Sequence, residues 1–109
     1  MKLIDRSTLK NLLGGTFTLE KSDGTQYTIQ AEVQGITLED LKYGSYGVWE
    51  SVNLRAFFLP YYTINGETIT VEEDDYLYVD SKKYRIVRLI QHMFRGEEVY
   101  REAFLALEV

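Results

Sequence analysis

His92 is the only histidine in the chain, and there is no cysteine. A nucleophilic relay or a zinc centre needs several such groups converging, and one imidazole supplies neither. His92 therefore reads as a structural or surface residue. The densest acids, Glu72, Glu73, Asp74 and Asp75, offer oxygen to a hard cation. They lack the spaced ligands and central glycine of a calcium loop, so they read as a solvated turn. Gly14 and Gly15 are not a phosphate loop, because no strand precedes them and no Gly-Lys-Ser/Thr follows. No sequence feature points to a carboxylate pair for acid–base work. The expectation is a protein without catalytic residues, metal or cofactor, and not an enzyme.

The remaining polar and aromatic groups are suited to contact rather than chemistry. Tyr43, Tyr46 and Trp49 alternate with Gly44, Ser45 and Gly47. Rigid aromatic area on an adaptable backbone is typical of recognition loops, so residues 35–50 are expected to form a contact loop; the alternative is a loop whose aromatics fold back on the core. Lys82, Lys83, Arg85, Arg88, Arg95 and Arg101 crowd the C-terminal third, whereas the acids are densest at 72–75, in a chain of net charge −5. Complementary regions of this kind suit head-to-tail association of identical copies, with Arg85, Arg88 or Arg101 meeting Glu72, Glu73, Asp74 or Asp75 of a neighbour. The other reading is a solvated polar surface. The basic and aromatic mix over 84–101 carries no motif of an RNA-binding sheet, and the acidic balance opposes counterion-driven nucleic-acid binding.

These groups must be positioned by strands. Residues 75–109 read as three consecutive strands, with reversals over 80–82 and 95–97. The middle strand, 83–94, is apolar at both parities: Tyr84, Ile86 and Ile90 on one, Val87, Leu89 and Met93 on the other. A strand with both faces apolar is expected to be covered on both sides. Residues 16–34 form the clearest hairpin. From Thr25 to Gln34 the odd positions read Thr, Tyr, Ile, Ala, Val and the even ones Gln, Thr, Gln, Glu, Gln. Keeping the apolar faces together selects a three-residue loop, Ser22-Asp23-Gly24, pairing Leu19 with Tyr27 and Phe17 with Ile29, with Gly24 left-handed. Residues 51–71 supply further strands, including a pair flanking Asn65-Gly66, the strongest short hairpin signal. A short helix over about 5–13 is expected from Leu9, Leu12 and Leu13 on one face and the Gly14-Gly15 stop. The fold expected is mainly β: a single domain forming a small antiparallel barrel or compact sandwich of about seven strands, with one N-terminal helix.

Composition agrees with this scale. A chain of 109 residues with 45% hydrophobic and 14% aromatic residues can bury one modest core. Zero cysteines fit a reducing cytoplasm, early acid and amide groups oppose a signal peptide, and no apolar run reaches the roughly 18 residues of a membrane span.

Two segments resemble the head-closure (head–tail joining, or stopper) proteins of long-tailed bacteriophages and prophages. Residues 48–60, VWESVNLRAFFLP, are similar to that family's central strand ending near a proline. Residues 72–90, EEDDYLYVDSKKYRIVRLI, followed by a hairpin ending AFLALEV, are similar to its acidic approach, short strand, small turn and closing strands. The family usually carries Gly-Asp where this chain has Asp74-Asp75, and usually lacks a distinct N-terminal helix. The resemblance implies a non-enzymatic connector that closes the head and joins it to the tail as part of a homo-oligomeric ring. Its partners would be the portal/adaptor ring and tail components, with DNA nearby but not bound by sequence, and no membrane. It would be a virion component assembled in the bacterial cytoplasm. The competing expectation is a monomeric intracellular β-barrel module that binds a peptide or nucleic acid.

Overall fold

The computed structural model describes residues 14–35 and 52–108. These form eight strands: β1 (Gly15–Glu20), β2 (Gln26–Gly35), β3 (Val52–Phe58), β4 (Tyr62–Ile64), β5 (Glu67–Ile69), β6 (Tyr76–Val79), β7 (Lys82–Phe94) and β8 (Glu97–Leu107). Six of them close an antiparallel barrel in the order β1-β2-β3-β8-β7-β6, with β1 pairing β6 to complete the ring. The two remaining strands, β4 and β5, form a separate two-stranded sheet inserted between β3 and β6. The architecture is thus a closed barrel rather than a sandwich, with one strand more than the count of about seven. The expected helix at 5–13 and most of the expected contact loop at 35–50, including Tyr43, Tyr46 and Trp49, lie outside the described residues.

The register of the first hairpin follows from its side-chain alternation. Leu19 pairs with Tyr27 and Phe17 with Ile29, and Gly24 sits at φ +90°. Ile29 and Ala31 point into the core while Gln26, Thr28, Gln30 and Gln34 are exposed. The reversals over 80–82 and 95–97 are one residue tighter than expected. Asp80-Ser81, Asn65-Gly66 and Arg95-Gly96 are all two-residue loops with both central residues at positive φ, the geometry whose twist matches a β-hairpin.

A bulge decides which residues of 83–94 share a face. The β7–β8 ladder is regular up to Ile86 opposite Leu105, and then slips so that Arg88 faces Phe104 and Leu89 faces Ala103. Val87 is the extra residue of a bulge, which reverses the strand's parity. Ile86 and Leu89 consequently both pack on the barrel core, although one is even and the other odd. Val87, Ile90 and Met93 lie outside that core cluster, and on the paired strands Phe104, Ala106 and Val52 are buried without belonging to it, so burial is not confined to the barrel interior.

The core is built from every strand of the barrel: Leu19, Ile29, Ala31, Ala56, Phe58, Leu77, Ile86, Ala103 and Leu105 are all buried. Tyr62 and Ile69 of the β4–β5 sheet join the same cluster, as do Leu59 and Val71 from its flanking segments. Burying such side chains contributes about 1.5–3 kcal/mol each, which anchors an insertion too short to be stable alone. Tyr62 adds a polar tie: its hydroxyl accepts from the Leu59 N–H at 3.0 Å and donates to the Gln30 carbonyl on β2.

Candidate assembly surface

The acidic turn and the basic strand expected to meet between copies meet within one chain. Arg85 on β7 lies 3.3 Å from Asp74 and 3.8 Å from Glu108. Glu73 accepts the Leu89 N–H at 3.2 Å. Asp74 N–H and Asp75 C=O continue the β6 side of the ladder onto Ile86, at 2.9 and 2.8 Å. Residues 72–75 therefore lie along the edge of β7 instead of forming a separate acidic pole.

Two of the expected contact residues are both paired internally and largely withdrawn from solvent. Asp75 is only 2% exposed, accepts from Lys21 Nζ at 2.5 Å and from the Glu72 N–H at 2.9 Å, and is out of reach of a partner. Lys21 also donates to the Thr70 carbonyl at 2.7 Å, so this pair fastens the first hairpin to the segment leading out of β5. Arg101 is held by Glu98 at 2.6 Å and donates to the Val71 carbonyl at 2.7 Å, leaving its side chain 12% exposed. Arg85, Arg88, Glu72, Glu73 and Asp74 remain exposed, Arg88 lying opposite Phe104. Lys83 follows the same intramolecular pattern, 3.0 Å from Glu20 and 4.1 Å from the Tyr76 ring centroid. Glu20 is held below its ordinary range by a Gln26 hydrogen bond and by Lys83, and Lys83 is raised in turn by that carboxylate.

A constellation invisible in the linear sequence occupies the outer wall where β3, β8 and β7 adjoin. His92 lies 2.9 Å from Glu102 and stacks on Tyr100 at 4.3 Å between ring centroids. Phe57 meets Tyr100 edge to face at 5.9 Å, Arg55 lies over Phe57, and Arg55 is 3.7 Å from Glu102. The second β7–β8 irregularity explains why this was hidden. Counting back from the turn would put His92 opposite Val99, but the slip between Met93 and His92 sets it opposite Tyr100. The cluster is a cross-strand packing network, the sheet's usual stabilising unit, and Tyr100 is raised by burial and by the Glu102 carboxylate.

Strand lengths then define the most distinctive surface. β6 pairs with β7 only over 82–85, and β3 pairs with β8 only over 101–106. Residues 91–94 and 97–100 consequently form a two-stranded ribbon with no described strand on either side. Its apolar end includes Met93, which is 57% exposed, beside Phe94 capped by Arg95.

No family model, curated protein or solved structure matches the chain.

The surface is therefore judged by its own chemistry. Among the described residues no three His, Cys, Asp or Glu side chains gather as a metal cage, and no helix is long and apolar enough to cross a membrane. An open groove of about 540 Å³ runs between Thr16, Thr18 and Thr28 on one side and Tyr78, Asp80 and Ser81 on the other. Its walls offer hydroxyls and one carboxylate, with no activated nucleophile among them.

Proposed function

We propose that this chain is a structural connector component of a phage or prophage particle, closing the head and joining it to the tail as part of a ring. The observation that carries the reading is the ribbon of 91–94 and 97–100, which extends β7 and β8 past both flanking strands. An isolated two-stranded ribbon is marginal in water, and exposed edges are sites where another chain adds on. Natural barrels usually remove such edges, so one retained beside an exposed Met93 favours a docking role. The resemblance of residues 48–60 and 72–90 to head-closure proteins supplies the particular assembly. In this reading the protein is non-enzymatic, without cofactor, and contacts the portal/adaptor ring on one side and tail components on the other. It is a virion component assembled in the bacterial cytoplasm, close to DNA without reading its sequence.

Connector rings can depend on a template that raises effective concentration, so the test has two arms. Sedimentation of the free protein over a wide concentration range is paired with binding to purified portal–adaptor assemblies. Ring-sized species in either arm are expected. A protein that stays monomeric in both, with no binding to the connector, overturns the reading. It would put a monomeric binding module first, with the groove between Thr16 and Asp80 as its site.

A further inference from the structure

The open groove of about 540 Å³ has a lining unlike the rest of the barrel wall. Register sets Thr28 opposite Thr18 and Thr18 opposite Tyr78. Residues directly opposite share a face, so three hydroxyl side chains form a row across β2, β1 and β6. Thr16 lies two residues along β1 on the same face. Asp80 and Ser81 line the groove from the two-residue turn, at φ 52° and 65°. Among the described residues, no side-chain hydrogen bond engages the hydroxyls of Thr16, Thr18, Thr28 and Ser81 or the Asp80 carboxylate. Glu20, the other acid on this wall, is different: Gln26 and Tyr78 donate to it at 2.9 and 3.1 Å, and Lys83 lies 3.0 Å away.

We propose that this groove binds a neutral oligosaccharide. The site stands apart from the connector reading, because it reaches β7 only at its start, whereas the ribbon is the far end of that strand. Every sugar hydroxyl both donates and accepts, and serine and threonine hydroxyls rotate to do the same. The Asp80 carboxylate accepts from two adjacent hydroxyls, and such charge-assisted bonds are stronger than neutral ones. Tyr78, half-buried on the wall, supplies an aromatic body for the C–H face of a sugar ring. The volume falls within the roughly 300–1,000 Å³ of small-ligand sites, and an open groove admits a chain laid along it. Other ligand classes fit less well. No Lys or Arg lines the groove, so a phosphate would meet a carboxylate without a cation. β1 is paired on both sides, by β2 and β6, so an extended peptide finds no free ladder there. Phe17 and Tyr78 alone among the lining residues carry large apolar area, too little for a lipid chain.

The test is amide NMR of the isotope-labelled full chain, titrated with maltotriose, cellotriose, mannotriose and chitotriose. Inorganic phosphate and a short oligothymidylate serve as contrasting probes. At least one sugar should move the amides of Thr16, Thr18, Thr28, Asp80 and Ser81 in a saturable way, and the two anions should not. Thr18→Val removes the central hydroxyl of the row and should weaken binding roughly 5-fold, the effect of losing one ordinary hydrogen bond. Asp80→Asn keeps a residue that tolerates the left-handed backbone and should weaken it roughly 10-fold through the lost charge. Thr63→Val, on exposed β4 outside the groove, should leave it unchanged. Silence at these amides with every sugar overturns the site. Saturable shifts that Thr18→Val and Asp80→Asn leave at wild-type strength overturn it equally. Phosphate or oligothymidylate binding there in place of the sugars overturns the ligand class. Folding of each variant is read from the same spectra, and where one fails to fold the wild-type titration decides. Ring formation enters none of these measurements, so the connector reading and this site stand or fall separately.

Discussion

A carboxylate that is 2% exposed must be fully partnered, and Asp75 is the acid on which the β5–β6 connection turns. Lys21 and the Glu72 N–H both donate to it, so an amide in its place can still accept a hydrogen bond but leaves the Lys21 ammonium without its counter-charge. Asp75→Asn should cost on the order of 2–3 kcal/mol in denaturant unfolding, toward the lower end for a broken buried pair because Lys21 is partly exposed. Asp74→Asn, one residue away and exposed, should stay within about 0.5 kcal/mol. In sequence the run EEDD gives no sign of this division, because burial depends on where Lys21 arrives from 54 residues away. Tyr62 gives a second residue-scale test. Burial raises its phenol from 10.0 to about 12. The folded state therefore holds that proton more tightly than the unfolded chain, and this contribution is complete below pH 10 and lost as pH rises toward 12. Tyr62→Phe should cost about 1–2 kcal/mol at neutral pH, through the stranded Leu59 N–H and Gln30 carbonyl. The difference from wild type should shrink in chemical unfolding measured between pH 10 and 12.

Among the elements, the hairpins were legible and the bulges were not. The β1–β2 register follows from alternation because a one-residue slip would turn Ile29 and Ala31 outward. Gly24 is the residue that permits the loop, and a Cβ there would meet no atom within 4 Å. The cost of substituting it is accordingly backbone strain alone. Gly24→Val should destabilise by on the order of 1 kcal/mol or more, seen as a lower denaturation midpoint with unchanged slope. An unaltered midpoint would contradict the left-handed turn. In β7 alternation misleads, because Val87 carries no mark distinguishing a bulge from an ordinary position. Whether Ile86 and Leu89 share a face is settled by β8, where Leu105 and Ala103 must both point inward. The same dependence on the partner strand hid the stacking of His92 on Tyr100. Turn chemistry was readable as a reversal but not as a length. Asp80-Ser81 achieves with two non-glycine residues at positive φ what composition alone would assign to a longer loop.

For the whole molecule, barrel closure depends on pairings between strands distant in sequence, β3 with β8 and β1 with β6. No local signal specifies them; they follow from the need to bury every inward face at once. Closure also consumes much of the charge that looked available for partners, since Lys21, Arg85 and Arg101 all find acids within the chain. Apolar and backbone contacts should then supply most of the affinity of any assembly, and magnitudes allow this to be tested. Arg85 already meets Asp74 within its own chain and is exposed, so any further ion pair it makes across the proposed ring contact is worth about 0–1 kcal/mol, and Arg85→Glu should weaken association less than about 5-fold. Met93 is 57% exposed, and covering the rest of its side chain is worth about 1–2 kcal/mol at the usual area coefficient. If the proposed ring forms through this ribbon, Met93→Ser should weaken it roughly 5- to 30-fold, measured as the shift in the midpoint of sedimentation against concentration. Its thermal stability should stay near wild type, because a surface substitution seldom moves folding by more than about 0.5 kcal/mol. The reverse ranking, with Arg85→Glu dominant and Met93→Ser silent, would mean that charge holds the copies together and that the ribbon's apolar end faces solvent.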